Sequence, residues 1–139
     1  MSIENIEIKI VEKWPAEDVV KLYKAGGWWK EEYDESGILP LIKGSFAFAV
    51  AVNNKTNETI GMARVLSDGV SDAYIQDVVV LPEYRKQGVG KNLVLKLVDF
   101  CKKRKVFWIG LISEPGQEDF YKKLGFNNMK HYTPMKFED

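Results

Sequence analysis

Two hydrophobic periods alternate along the chain, and the points where they switch divide it into elements. Ile6, Ile8 and Ile10 stand at every second position with Glu7 and Lys9 between them. That period of two predicts a half-buried first strand, ended by Trp14-Pro15. Ala16 to Ala25 carries Val19, Val20, Leu22 and Tyr23 at helical spacing, with Pro15 near its start and Gly26-Gly27 as its stop. Residues 28–44 mix aromatics, acids, Gly37 and Pro40, and read as a loop with room for one more short helix. Phe46, Phe48, Val50 and Val52 then alternate with Ala47, Ala49 and Ala51, a strand signature. After the turn "NNKTN" comes a second strand, Thr59 to Ser67, with Gly61 as a bulge candidate. After "SDGVSD" comes a third, Ala73 to Leu81, and the three predict an antiparallel meander.

The period changes again at Gly88. From there to Lys103, Val89, Leu93, Leu97, Phe100 and Cys101 share one helical face, with Leu95 the exception. Val106 to Ile112 reads as a buried strand, and strand–helix–strand order predicts that it pairs in parallel with the strand at 73–81. Glu118 to Leu124 predicts a short helix closed by Gly125, and Phe126 to Phe137 one or two final strands interrupted by Pro134. The fold class expected is α/β (α+β), a single domain over residues 1–139.

Composition narrows the function by exclusion. Lys+Arg and Asp+Glu are both 20, so the basic excess of a nucleic-acid binder is missing. One cysteine, Cys101, and one histidine, His131, cannot form an internal disulfide or the usual Cys/His zinc site. No metal is expected. The first residues do not resemble a signal peptide, and the longest apolar run, Phe46 to Val52, is too short for a bilayer. No membrane partner is expected, and the expected location is cytoplasmic.

The chemistry gathers at "VVVLPEYRKQGVGKNL", residues 78–93. A strand that feeds a tight turn and then a helix delivers unpartnered helix amides to the strand's end. Those amides carry partial positive charge, and an anion, above all a phosphate, suits them. Gly88 and Gly90 lack Cβ, Arg85 and Lys86 add charge, and Gln87 adds an amide, so the turn through Val89 reads as a pyrophosphate cradle. The Walker pattern is missing, because Gly90-Lys91 is followed by Asn92, and GxGxxG fails because Leu93 stands where the third glycine belongs.

"RKQGVG" instead resembles the acetyl-CoA loop of the Gcn5-related N-acetyltransferases, the GNAT family. "FYKKLGF", Phe120 to Phe126, resembles that family's second signature, and together with the element order the likeness covers nearly the whole chain. "AYIQDVVVLPEYRKQGVGK" is also similar to a subgroup with plant and prokaryotic serotonin N-acetyltransferase-like proteins. The resemblance implies a mixed, mostly antiparallel sheet of six to seven strands with helices on both faces. It implies acetyl-CoA as cosubstrate, its pyrophosphate on the loop and its pantetheine arm along Val78, Val79 and Val80, and Tyr121 near the CoA sulfur. Two positions depart from the family's pattern. Glu114 stands where many members carry Asn, and Gln117 where many carry Ala.

The implied reaction is acetyl transfer to a primary amine by direct attack in a ternary complex. Cys101, on the apolar helix face, is poorly placed for an acyl-enzyme. Tyr121 could hydrogen-bond the leaving sulfur, since a phenol near ~10 yields its proton reluctantly to a thiolate near ~8.5. Asp77 interrupts an apolar run, so it is either a base or a structural acceptor for loop amides. Trp28, Trp29, Tyr33 and Trp108, with Glu31, Glu32 and Asp34, either line an acceptor pocket or form packing and solvated surface. The acceptor would be a small-molecule amine or a protein amine, and a homodimer is allowed. The alternatives are a CoA-binding regulatory or interaction module without catalysis, and a nucleotide-binding domain.

Overall fold

The period-two segments form one sheet. A computed structural model describes residues 5–139. In it β1 (Ile6–Ile10), β2 (Ala47–Asn53), β3 (Glu58–Ser67), β4 (Asp72–Val80) and β5 (Trp108–Leu111) lie side by side in chain order. The first four pair antiparallel, and β5 joins β4 in parallel, as the intervening helix requires. The helices are α1 (Ala16–Ala25), α2 (Ile38–Gly44), α3 (Val89–Lys103) and α4 (Glu118–Lys123), with 3₁₀ turns at Glu35–Gly37 and Pro82–Tyr84. None of the helices is long and apolar enough to cross a membrane.

Every residue of β2 is buried, so helices cover the sheet centre on both faces. The small residues explain how α3 sits so close. A Cβ at Gly61 would meet Leu93 Cδ1 at 3.1 Å and the Val79 carbonyl at 3.2 Å, with Ala51 Cβ at 3.5 Å. The expected bulge falls beside Gly61: β2 pairs Ala51 with Gly61 but Val52 with Thr59, leaving Ile60 as the extra residue. Val89, Leu93, Val94, Leu97 and Cys101 bury one stripe of α3 in the core, while Leu95 remains exposed. Each of the aliphatic side chains stabilises the fold by about 1.5–3 kcal/mol of burial.

The strand count differs from expectation. Five strands form among the described residues, and none falls in Phe126 to Phe137. Residues 127–139 are exposed throughout, including Met129, Tyr132, Met135 and Phe137. Pro134 removes a ladder donor, and the apolar side chains in the segment find no second layer, so no strand is built there.

Candidate active site

β4 and β5 part company, and the wedge between them is the candidate site. Their pairing runs from Asp72 opposite Trp108 to Ile75 opposite Leu111, after which β4 continues alone on that edge to Val80. The parting coincides with a bulge against β3. Met62 faces Val79 and Arg64 faces Gln76, so Ala63 alone spans Asp77 and Val78. Asp77 takes the left-handed conformation at φ 59°, a cost that a non-glycine residue bears only where its surroundings hold it. Here they do: its Oδ2 accepts from Arg64 Nε at 2.7 Å and from the Tyr23 hydroxyl at 2.8 Å. Burial, then the neighbouring Asp77 charge, push the Tyr23 phenol far above the usual tyrosine range, so it stays a donor. Asp77 is therefore a structural acceptor, but for a guanidinium and a phenol and not for loop amides.

The bulge also sets which main-chain groups face the wedge. The Leu81 N–H donates to Ile60 at 2.8 Å, so Leu81 and Val79 turn their polar groups toward β3. By alternation Val78 and Val80 turn theirs to the open edge. The Val80 carbonyl accepts from Arg85 Nε at 2.8 Å. Val79 instead sends its side chain into the core.

The turn beyond β4 is anchored from below. Tyr84 is buried, its hydroxyl held by Asn53 Nδ2 at 3.1 Å and donating to Glu58 at 3.3 Å. Lys86 and Gly88 both adopt positive φ, 61° and 88°. The first bond into α3 is Asn92 N–H to the Gly88 carbonyl at 3.0 Å, so the amides of Val89, Gly90 and Lys91 open from the helix end. Gln87 is turned back, its side-chain amide donating to the Glu83 carbonyl at 3.3 Å. The two glycines differ in kind. A Cβ on Gly88 would meet nothing within 4 Å, so its need is conformational. A Cβ on Gly90 would meet Phe120 Cζ at 3.3 Å, so Gly90 lets α4 pack against the start of α3.

Between these parts lies a cleft of about 270 Å³, walled by Gln76, Asp77 and Val78 on β4, Leu111 on β5, and Trp28, Glu114 and Tyr121 from the surrounding loops and α4. The Tyr121 ring is wedged edge-on between Phe120 and Phe126, at centroid distances of 4.9 and 5.9 Å. Burial first, then the Glu114 carboxylate, raise its phenol above the ordinary value. Trp28 Nε1 donates to Glu114 Oε1 at 3.1 Å. Gly26 makes that reach workable, since the Trp28 ring folds back to 2.7 Å from where a Cβ would stand.

The aromatic residues of the early loop thus divide. Trp28 reaches the cleft. Trp29 packs on Tyr23 and Tyr33, and Trp108 packs at a tilt against Tyr74 and borders a separate groove with Phe107, Leu124 and Phe126. Glu31, Glu32, Asp34 and His131 are exposed and line no part of the cleft. Cys101 is buried, and burial raises its thiol, the reverse of nucleophile activation. No group of three or more potential metal ligands occurs among the described residues.

Residues 10–126 match the model of the acetyltransferase (GNAT) family. The chain belongs to the GNAT family. Relatives of this GNAT chain include GCN5-related N-acetyltransferase 2, chloroplastic, of Arabidopsis thaliana, 36% identical over 81% of this chain and 45% of the relative. N-acetyltransferase ycf52 of Gracilaria tenuistipitata var. liui is 34% identical over 78% of this chain and 60% of its own. The chain therefore spans about half to three fifths of these relatives. Among solved structures, a GNAT family acetyltransferase from Streptococcus pneumoniae superposes with a TM-score of 0.81 at 28% identity, covering 96% of this chain and 98% of that one. Glucosamine-6-phosphate N-acetyltransferase from Arabidopsis thaliana shares the fold, with a TM-score of 0.75 at 17% identity over 97% of this chain and all of that one (100%).

Three features of this GNAT site escape a reading of residue order alone: the Arg64–Asp77–Tyr23 knot, the Tyr84 anchor and the Trp28–Glu114 pair. Each joins residues far apart in the chain. Gly26-Gly27 was the one local signal, and a glycine pair after a helix ordinarily signifies only its end.

Proposed function

We propose that this chain, as one acetyltransferase domain, binds acetyl-CoA along the open edge of β4 and transfers the acetyl group to a primary amine in a ternary complex. The observation that carries the reading is the continuity of an unpaired strand edge with a turn of outward-facing amides, beside a tyrosine in a cleft. Unpaired main-chain groups need partners, and the amides of a pantetheine arm would supply them at Val78 and at the Val80 N–H. The amides of Val89, Gly90 and Lys91, with Arg85 and Lys86, would face the pyrophosphate. Arg85 is bound through Nε to the Val80 carbonyl, which leaves its terminal nitrogens for an anion. Tyr121, its phenol held protonated, donates a hydrogen bond to the departing sulfur, and the raised pKa argues against full proton transfer. No side chain is assigned as base, because Asp77 is already engaged by Arg64 and Tyr23.

The acceptor belongs to this proposal too. The indole of Trp28 in the cleft supports an amine with an aromatic or apolar body.

Turnover is tested by CoA release with acetyl-CoA and a panel of amines. Tyr121→Phe is expected to lower kcat about 10- to 100-fold with little change in affinity for CoA. An unchanged kcat removes Tyr121 from the chemistry. CoA binding without turnover on any amine favours the regulatory module.

A homodimer completes the proposal. β5 is the sheet's terminal strand, Phe107 and Ile112 flank it 68% and 74% exposed, and the tail offers Met135 and Phe137 at 89% and 85%. An exposed apolar edge of this kind invites a second chain. Sedimentation is expected to give twice 15.9 kDa, and Phe137→Glu to halve it; a monomeric native chain overturns the idea.

A further inference from the structure

The cleft beside Tyr121 holds two carboxylates, and they are not equivalent. Asp77 is consumed by the Arg64 guanidinium and the Tyr23 hydroxyl, its side chain only 22% exposed. Glu114 receives no cation among the described residues. Among the described residues its only hydrogen-bond donor from another side chain is the neutral indole of Trp28. Arg64 is neutralised by Asp77, so no unpaired cation lines the cleft to balance Glu114. Glu114 stands at the solvent-exposed mouth of the cleft, whose other walls combine the apolar Ile75, Val78, Leu111 and Ile112 with Tyr74, Gln76 and Tyr121. The volume, about 270 Å³, lies at the small end of ligand pockets, which run ~300–1,000 Å³.

We infer that Glu114 is the specificity residue of the acceptor site, receiving the ammonium of a small cationic amine whose apolar body lies against Trp28. The inference rests on the acetyltransfer reading and names its substrate class. The chemistry runs in steps. The indole donation fixes one oxygen of the carboxylate and leaves the other lone pairs for an N⁺–H donor. The face of a tryptophan attracts a cation and accommodates an apolar chain. The same carboxylate repels an acceptor that carries its own carboxylate beside the amine, so α-amino acids are excluded by charge. Glu114 and Tyr121 line the same cleft, which would set the bound ammonium near the position the acetyl group takes.

The test separates amine recognition from turnover. 2-Phenylethylamine, 2-phenylethanol and phenylalanine are titrated calorimetrically into the full chain saturated with CoA, in native and Glu114→Gln forms. The glutamine retains an oxygen for the Trp28 indole and removes only the charge. The native chain is expected to bind the amine at least tenfold more tightly than either the alcohol or the amino acid. Glu114→Gln is expected to weaken amine binding about tenfold or more and leave the alcohol within twofold. In steady-state assays the same variant raises KM for the amine and not KM for acetyl-CoA. Equal amine binding by the two forms, no amine binding by the native chain, or no preference for the amine over the alcohol overturns the inference. Glu114-dependent amine binding without CoA release would sustain it while sinking acetyl transfer. Turnover that ignores Glu114→Gln would do the reverse. If Glu114→Gln unfolds the chain, Glu114→Ala gives the same reading through loss of the charge: loss of the preference for the amine over the alcohol sustains the inference, and an unchanged preference overturns it.

Discussion

At the scale of single residues, two glycines one position apart solve different problems. Gly88 caps α3 at φ 88°, a conformation that costs an L-residue about 1–2 kcal/mol, with open space around it. Gly90 has an ordinary helical conformation and a crowded neighbour in Phe120. Gly88→Ala is therefore expected to lower stability by about 1 kcal/mol and shift the turn's amides, weakening CoA binding. Gly88→Asp should abolish binding, because it adds negative charge where a diphosphate is expected. Gly90→Ala should instead disturb the α3–α4 contact, and a Phe120→Leu partner should relieve it. Urea unfolding paired with CoA titration checks both; equal losses of CoA affinity in Gly88→Ala and Gly90→Ala would contradict the division. Residue order marked both glycines together as phosphate-facing. It could not separate them, because Phe120 lies thirty positions downstream of Gly90 and only folding brings it there.

At the scale of elements, the local pattern was legible wherever one period governed a whole segment. The alternation in β2, the stripe on α3 and the parallel return of β5 all follow from spacing. What spacing hides is how a strand ends its pairing. β4 reads as a continuous apolar run broken by Asp77, and the break is the point where the strand bulges and leaves β5. The knot that stabilises the bulge draws Tyr23 from α1 and Arg64 from β3. The tail failed in the opposite sense, since apolar residues without a covering layer do not make a strand. Removing one member of a largely buried ion pair typically costs about 3–5 kcal/mol. Asp77 and Arg64 are about a fifth exposed, so Asp77→Ala is expected near the lower end, about 3 kcal/mol, with relief of the left-handed strain offsetting none of it. Asp77→Ala should also lower CoA affinity, because the open edge of β4 exists through the bulge. A variant that loses neither stability nor affinity would show that the knot is incidental.

Across the whole molecule, three buried acids share one direction of shift, and that sets how the fold answers to pH. Tyr23 is raised by burial and by Asp77, Tyr121 by burial and by Glu114, and Cys101 by burial. Each holds its proton more tightly folded than unfolded. Their contribution to stability is complete below the unfolded values, ~8.5 for the thiol and ~10 for the phenols, and is lost as pH rises from there through the folded values. Their contribution to stability by urea unfolding should thus be level through neutrality, begin to fall near about pH 9 with the thiol, and keep falling above about pH 10 as the unfolded phenols ionise. Tyr23→Phe tests the largest share: it removes the donor to Asp77, so its curve should start lower at pH 7 yet descend less on the alkaline side. Parallel curves for the two proteins would mean that Tyr23 does not couple the helix to the strand. Because the folded phenol keeps its proton well above the pH at which the unfolded chain begins to ionise, stability should begin to fall while the folded chain still braces the bulge and binds CoA.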